Sequence, residues 1–351
     1  MTLPTEVAPP RTALIIGATG LFGLHAAEAL IKHGWRVRAL ARNPAAAAAK
    51  LGPNSPIEWV KGDAMDTASV VAAVQDVPGG LQLVVHAANP PRYRNWKGTV
   101  LPMVESAMAA AKAAGARLAV PVSVYNFAPE AGPAIPEVAP QLPATRKGAI
   151  RVEVERRLRA ASEDGLKVLL LRAGDFFGPA APGALDWLVQ HAKGRVTGVF
   201  QPGPGNVGHA YAYLPDLAET MARLVDHEDR LGRFEVFHFR GHYLERNAAF
   251  GEAIRRVTGD PKLPLRAFPW IVVTAAAPFN ETFRELLEMR YLWRRPIGLA
   301  NARLVGFLGE EPHTPLDQAL AASLADMGCL AEAPYAASEV CRTSSAMAPA
   351  M

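Results

Sequence analysis

Cysteine is scarce in this chain, with Cys329 and Cys341 the only two among 351 residues. Two cysteines cannot build a disulfide framework, and their spacing does not match a metal-binding motif. Histidines such as His86 and His209 stand alone, without other ligand-type residues at metal-binding spacing. We therefore expect a reducing, cytoplasmic location and no metal site.

Long apolar runs and long basic runs are also missing. The nearest candidate for a membrane span, residues 268–279, is too short and is broken by proline. Residues 1–12 lack the charged and apolar regions of a signal peptide. The net charge is only +4, and no Lys/Arg cluster is interleaved with aromatic side chains. We therefore expect a small-molecule partner, with no nucleic acid and no membrane.

What the sequence does contain is an alternation of strand and helix patterns. The apolar runs are short and rich in Val, Ile and Leu, as in strands buried on both faces of a parallel sheet. The predicted strands cover residues 12–20, 35–42, 57–63, 81–89, 117–125, 166–179 and 233–241, and the predicted helices 21–33, 66–77, 99–114, 145–164 and 214–228. This rhythm predicts an α/β fold with a doubly wound parallel sheet of the Rossmann type.

A glycine-rich turn, GATGLFG, follows the first predicted strand and opens the first predicted helix. Glycines let the backbone turn tightly and approach a pyrophosphate, which the free N–H groups at the helix start then bind. Because strand, turn and helix come in the required order, the segment predicts a dinucleotide site. The alternative is a turn that only packs the helix closely on the strand. The residues expected to contact the cofactor are Gly17, Thr19, Gly20, Leu21, Phe22 and Gly23.

The second predicted strand ends without an acidic residue. NAD sites usually place an Asp or Glu about 20 residues after the glycine turn, to bind the ribose 2′-hydroxyl. Here no Asp or Glu occurs between Glu28 and Glu58, and Arg42 stands near that position. A guanidinium group can bind a 2′-phosphate through two hydrogen bonds. The sequence therefore predicts NADP(H) in preference to NAD(H), unless Arg42 is only a solvated loop residue.

Two further strand ends are expected to border the cofactor. Asp63 follows the third predicted strand and could accept a hydrogen bond from the adenine amino group, or could equally be a turn residue. Ala87 and Ala88 end the fourth predicted strand, and their small side chains suit a backbone that runs along a cofactor. Asn89 then precedes proline, as in an Asx turn.

These patterns divide the chain into two parts. Residues 11–180 are predicted to form the dinucleotide-binding domain, with 207–240 returning to it. Residues 181–206 and 241–330 are expected to form a smaller, mainly helical substrate-binding part. The helices predicted there cover 244–257, 269–292, 300–308 and 315–326. Residues 331–351 are small and polar, so we expect a disordered tail.

Several of these segments are familiar. GATGLFG, LARNP, the GD after the third strand, and YLPDLAE together resemble the short-chain dehydrogenase superfamily in its extended and atypical branches, over residues 11–240. That family typically uses Ser with Tyr-x-x-x-Lys. Here Lys147 stands at the tyrosine position and Arg151 at the lysine position, while Ser123 and Tyr125 follow the fifth predicted strand. The resemblance also implies that two residues of AGDFFGP, Asp175 and Phe177, face the substrate cleft.

The segment KGAIR, residues 147–151, resembles the pattern of isoflavone-reductase-like and nitrogen-metabolite-regulator-like proteins. In the reductases of that branch the lysine is the acid–base residue, so the resemblance implies this role for Lys147. Thr145 is a candidate N-cap, which places Lys147 where the helix dipole and Arg146 disfavour the ammonium form. The alternative is a charged helix whose Lys147 side chain points to water.

The sequence thus predicts an NADPH-dependent oxidoreductase acting on a small or medium organic substrate. Lys147 would exchange a proton with the substrate oxygen, and Tyr125 or Ser123 would assist. A nucleotide-sugar epimerase or dehydratase is one alternative, and a regulatory protein that binds NADP without turnover is another. The chain could act as a monomer or a homodimer, and the sequence does not name the substrate.

Overall fold

The computed structural model describes residues 10–52, 55–90, 95–180 and 183–330. The predicted disordered tail, residues 331–351, lies outside the described residues. Along the described chain the strands are β1 (Thr12–Ile16), β2 (Arg36–Ala41), β3 (Glu58–Lys61), β4 (Leu83–His86), β5 (Arg117–Ser123), β6 (Lys167–Ala173), β7 (Asp175–Phe177), β8 (Val189–Ala192), β9 (Arg195–Gln201), β10 (His209–Tyr213), β11 (Phe234–His238), β12 (His242–Leu244) and β13 (Leu265–Ala267).

Helices alternate with these strands in the amino-terminal half and dominate the carboxyl-terminal third. They are α1 (Leu21–Lys32), α2 (Pro44–Leu51), α3 (Thr67–Ala72), α4 (Trp96–Ala114), α5 (Arg146–Glu163), α6 (Leu185–Leu188), α7 (Leu214–Asp226), α8 (Ala248–Thr258), α9 (Trp270–Ala276), α10 (Glu281–Met289), α11 (Ala302–Leu308) and α12 (Leu316–Asp326). A 3₁₀ turn, Arg290–Trp293, follows α10. Among the described residues, no helix combines the length and the hydropathy that a bilayer span requires.

Seven parallel strands form the central sheet, in the spatial order β11-β6-β5-β4-β1-β2-β3. Strand β1 is buried along its whole length and pairs with β2 on one side and β4 on the other. The chain changes direction across the sheet between β1 and β4, and such a switch point opens a crevice at the carboxyl ends of the strands. The predicted doubly wound sheet is therefore confirmed.

Helices cover both faces of this sheet. Helices α4 and α5 bury Val104 and Leu158 against one face, and α1 and α7 bury Leu30 and Leu217 against the other. Each such side chain contributes about 2 kcal/mol when it leaves water. The chain returns to the central sheet at β11, which pairs in parallel with β6 at the sheet edge.

Two of the predicted helices in the carboxyl-terminal third are wrong in extent. The predicted helix 269–292 is divided into α9, α10 and the 3₁₀ turn, because Pro278 has no N–H to donate and Asn280 caps the start of α10. The predicted helix 244–257 begins only at Ala248, since residues 242–244 form β12 beside β10.

Candidate active site

The glycine turn joins β1 to α1 at the carboxyl edge of the central sheet. A Cβ on Gly17 would lie 2.6 Å from the Ala88 backbone nitrogen, and one on Gly23 would lie 2.1 Å from the Gly17 carbonyl oxygen. Gly17 also has φ +93°, which side chains rarely tolerate. The turn therefore requires glycine at both positions, because Gly17 packs on the backbone just after β4 and Gly23 packs on the Gly17 carbonyl group.

The start of α1 is left open to an anion. Its N-cap, Gly20, makes no side-chain hydrogen bond, and the described first turn holds no acidic residue. The N–H groups at this end have no helical partners and carry the positive end of the helix dipole. Thr19 and Leu21 are exposed beside them, whereas the Phe22 side chain is buried in the core, so only its main chain is available here.

The two residues predicted to bind the cofactor after β2 and β3, Arg42 and Asp63, have different surroundings. Arg42 follows β2 directly and is exposed, while Arg38 within the strand is paired with Glu58. Asp63 makes a turn, because its Oδ1 accepts a hydrogen bond from the Met65 N–H at 3.0 Å. The turn role of Asp63 is thus observed, and its contact with adenine stays a prediction.

Lys147 is buried rather than directed to water. Thr145 caps α5 as predicted, accepting a hydrogen bond from the Gly148 N–H at 3.0 Å. The Lys147 side chain is 1% exposed, and its Nζ lies 2.8 Å from Glu285 Oε2 and donates to the Glu285 carbonyl oxygen at 2.9 Å. Burial lowers the pKa of Lys147, Glu285 opposes that shift, and Arg146 adds to it. The solvent-exposed alternative for Lys147 is wrong, because α10 covers it.

Helix α10 covers the starts of α4 and α5, and we call this helix with its three acidic residues, Glu281, Glu285 and Glu288, the α10 roof. Glu281 accepts a hydrogen bond from the Asn95 N–H before α4, and Glu288 accepts one from the Lys147 N–H in α5, both at 3.1 Å. Arg146 pairs with both Glu285 and Glu288. Sequence reasoning missed these acids, although their i, i+4, i+7 spacing signals one acidic helix face.

Arg151 lies in the second turn of α5 and faces the end of β4. Its Nη2 donates to Asn89 Oδ1 at 3.2 Å, and its guanidinium carbon lies 4.8 Å from the centre of the Trp96 ring. Burial, followed by the charge of Arg151, lowers the pKa of His86 to about 3. His86 is therefore a neutral ring at the end of β4.

Ser123 and Tyr125 lie at the end of β5, as predicted. The Ser123 hydroxyl is buried and has no hydrogen-bond partner among the described residues. Tyr125 is buried, with its ring 6.4 Å from that of Trp96. An unsatisfied buried hydroxyl at a strand end is suited to bind a polar group of a ligand.

Asp175 and Phe177 differ from each other in environment. Asp175 Oδ2 lies 2.9 Å from Nε2 of His209, one of the histidines without metal-ligand neighbours in the sequence. Phe177 is fully buried among Tyr211, Tyr213 and Phe250 and does not face the cleft, so that implication of the resemblance is wrong. Within the part of the chain that the structure describes, no three His, Cys, Asp or Glu side chains gather into a metal site.

Several solved structures share this architecture. The enzyme WbmH of Bordetella bronchiseptica, solved with NAD+, is 21% identical, and the match covers 91% of this chain and 98% of that one with a TM-score of 0.68. UDP-glucose 4-epimerase from Stenotrophomonas maltophila, solved with NAD and formylated UDP-arabinopyranose, is 16% identical over 90% and 97% of the two chains, with a TM-score of 0.70. UDP-glucose 4-epimerase from Bifidobacterium longum, solved with NAD+ and UDP, is 17% identical over 89% and 97%, with a TM-score of 0.68.

At these identities the solved structures establish the fold alone. A comparison with curated proteins gives no match. A model of the NAD dependent epimerase/dehydratase family matches residues 13–238, which include the glycine turn, the start of α5 and the Asp175–His209 pair. With that match over more than half of its length, and with the predicted resemblance to short-chain dehydrogenases confirmed, this chain belongs to the NAD dependent epimerase/dehydratase family.

Proposed function

We propose that this protein is an NADP(H)-dependent oxidoreductase that interconverts a carbonyl and an alcohol in a small or medium organic substrate. The observation that carries the proposal is the glycine turn, in which Gly17 and Gly23 have no room for a Cβ and no side chain caps the start of α1. That geometry fits a dinucleotide diphosphate. When bound, the nicotinamide supplies or accepts a hydride.

The preference for NADP(H) is supported by Arg42. This side chain is exposed directly after β2, where no Asp or Glu is present to bind a ribose 2′-hydroxyl. Gly17, Gly20 and Gly23 would bind the diphosphate, and Ala87 and Ala88 would line the crevice beside it. The related structures named above hold NAD, so NAD(H) is the alternative that a binding measurement must separate.

The predicted catalytic residues differ in whether their polar groups are already bound by other residues. The Ser123 hydroxyl, which no described residue binds, would hydrogen-bond the substrate oxygen, and Tyr125 would assist it. The acid–base role that the resemblance gives Lys147 requires Glu285 to withdraw first, because the ammonium group is enclosed beneath α10. Lys147 therefore enters the proposal as the anchor of the α10 roof, and its proton transfer stays a prediction.

A second candidate is a nucleotide-sugar epimerase or dehydratase, in which the hydride returns to the substrate. It is favoured by the two UDP-glucose 4-epimerases of similar fold. It differs from the first candidate in one measurable respect, since an epimerase consumes no net NADPH.

The test combines binding with turnover. Calorimetry should show tighter binding of NADPH than of NADH. A panel of benzaldehyde, acetophenone, cyclohexanone and phenanthrenequinone should then include at least one compound whose reduction consumes NADPH. Binding of the coenzyme with no consumption on the panel, together with isomerisation of a UDP-sugar, would replace the oxidoreductase by the second candidate.

A further inference from the structure

A histidine–aspartate pair lies at the same edge of the sheet as the proposed reaction. His209 Nε2 is 2.9 Å from Asp175 Oδ2. Asp175 begins β7, just after β6 ends, and Tyr211 of β10 lies opposite it in the ladder. Because the carboxyl ends of parallel strands meet at one edge, this pair is on the side of the sheet that carries Ser123.

The second ring nitrogen of His209 also faces an acceptor. Its Nδ1 lies 3.1 Å from the carbonyl oxygen of Leu292. A neutral imidazole has one N–H and one lone pair, so it can donate to only one of the two acceptors. The arrangement is satisfied when both ring nitrogens carry a proton, or when Asp175 carries the second one. Either arrangement contains one proton more than a neutral ring beside a carboxylate.

The surroundings of His209 suit a charged ring. The Trp293 ring stacks on it with centres 5.6 Å apart and planes 19° apart. The face of an indole attracts a cation, most strongly where water is excluded. His209 thus differs from His86, which lies near the cationic Arg151 and is held neutral.

Asp175 is the more exposed member of the pair. Its side chain is 17% exposed, against 5% for His209. Within the described chain its second oxygen, Oδ1, has no hydrogen-bond partner. A cavity of about 10 Å³, enough for one water molecule, adjoins Asp175, His209 and Val124.

Two hydroxyl groups lie on segments that adjoin the pair, since Ser123 ends β5 opposite Ala173 of β6, and Tyr291 precedes Leu292 in the 3₁₀ turn. The oxygens of Ser123 and Tyr291 are buried and make no hydrogen bond to the described residues. Burial, followed by the charges of Asp175 and Glu288, raises the pKa of Tyr291. Its hydroxyl therefore keeps its proton and can donate it to a hydrogen bond.

We propose that Asp175, with His209 as its positioning residue, is the acid–base group of the active site and takes the place of the missing tyrosine. This inference rests on the proposed function for the hydride step. In the reduction, the hydride adds to the carbonyl carbon and the C=O π pair becomes an alkoxide. The extra proton of the His209–Asp175 pair then moves to the alkoxide from the protonated Asp175 carboxyl group, which takes it from His209 if the ring held it. An Asp175 carboxylate beside a neutral imidazole remains until solvent returns a proton.

The same step explains the direction of proton uptake. In the product state the unprotonated Nε2 of His209 faces a carboxylate, two lone pairs with no hydrogen between them. That unfavourable contact drives the return of a proton from water. In the oxidation the step reverses, and the Asp175 carboxylate accepts the hydroxyl proton as the hydride leaves carbon.

The experiment has one arm that needs no substrate. In histidine-selective ¹⁵N NMR, with the His209 signals assigned by their loss in His209→Gln, the wild type should show protonation of both ring nitrogens if the ring holds the extra proton, and of Nδ1 alone if Asp175 holds it. In Asp175→Asn the ring should be neutral with a single N–H. A wild-type His209 protonated on Nε2 alone would overturn the proposal, because a neutral ring would then face a carboxylate.

The second arm measures turnover of the carbonyl compound from the panel that the wild type reduces fastest. Asp175→Asn should lower kcat by about a thousandfold with the NADPH dissociation constant unchanged. His209→Gln should lower kcat less and leave KM nearly constant, since Gln still donates a hydrogen bond to Asp175. Asp326→Asn, a matched aspartate that accepts a hydrogen bond from the Ala180 N–H elsewhere, should change nothing.

The arms separate this inference from the proposed function. Full kcat in Asp175→Asn would contradict the assignment while leaving the oxidoreductase intact. A wild type that reduces none of the panel compounds would instead refute the proposed function, and the NMR arm would still decide whether the pair holds the extra proton.

Discussion

Two buried pairs of a basic side chain with a carboxylate lie at the carboxyl edge of the sheet, and they differ in what surrounds them. Lys147 is bound by both the side chain and the carbonyl group of Glu285, and α10 is tied down on either side of it. Asp175 has one oxygen that no described residue binds, beside a small cavity. Alignment with the tyrosine position of the family therefore does not by itself expose a side chain, whereas a strand-end carboxylate nearby keeps an oxygen that could bind a ligand.

After the loss of kcat in Asp175→Asn, the next largest effect that distinguishes the two pairs is the loss of folding stability in Lys147→Met. Lys147→Met keeps the volume of the side chain but leaves Glu285 without its buried partner, so the free energy of unfolding should fall by about 3 kcal/mol. On the folded fraction, kcat should change less than about tenfold. Denaturant unfolding and single-substrate kinetics measure the two quantities.

A matched control for this variant is Lys167→Met, which removes an exposed lysine paired with Glu228. Its cost should stay below about 1 kcal/mol. If Lys147→Met kept full stability and lost about a thousandfold in kcat, the roles of the two pairs would be reversed.

The pH dependence of stability tests a buried histidine that lies outside both pairs, His242. Burial, with a smaller effect of His313, lowers the pKa of His242 from 6.5 to about 4. The unfolded chain therefore binds more protons than the folded chain between those values, and stability must fall as the pH falls below 6.5. We expect His242→Gln to remove about 2 kcal/mol of this loss between pH 6.5 and about pH 5.

Thermal melts over that range, with His191→Gln as an exposed control, provide the measurement. Identical pH profiles for the wild type and His242→Gln would show that His242 is not held neutral.

The smallest effect concerns the cofactor that both pairs would serve. Arg42→Ala should weaken NADPH binding about tenfold, or 1.4 kcal/mol, through loss of the 2′-phosphate contact, and leave NADH binding unchanged. Arg36→Ala, an exposed arginine at the opposite end of the same strand, is the control. Equal losses for both coenzymes in Arg42→Ala would contradict a contact with the 2′-phosphate.

Much of the fold could be predicted because its signals are local. The apolar run of β1, the glycine turn and the N-cap Thr145 each depend on a few adjacent residues, and the structure confirms all three. The break in the predicted helix 269–292 was also encoded locally, by Pro278 and Asn280, but the apolar pattern around them concealed it.

The two charged pairs could not be predicted, because each depends on a contact that is distant in sequence. Lys147 and Glu285 are 138 residues apart, and His209 and Asp175 are 34 apart. No spacing rule connects such residues before the sheet and the α10 roof bring them together. From the sequence alone, His209 has no visible partner, and Lys147 fits a surface charge as well as a catalytic residue.

The most direct test of this comparison is a crystal structure of the protein with NADPH and an unreactive alcohol analogue of the carbonyl compound that it reduces. We expect the coenzyme diphosphate at the glycine turn, the analogue hydroxyl within hydrogen-bond distance of the Asp175 carboxylate, and Lys147 still bound to Glu285. A Lys147 amine released from Glu285 and placed against the analogue hydroxyl, with Asp175 turned away, would contradict this expectation.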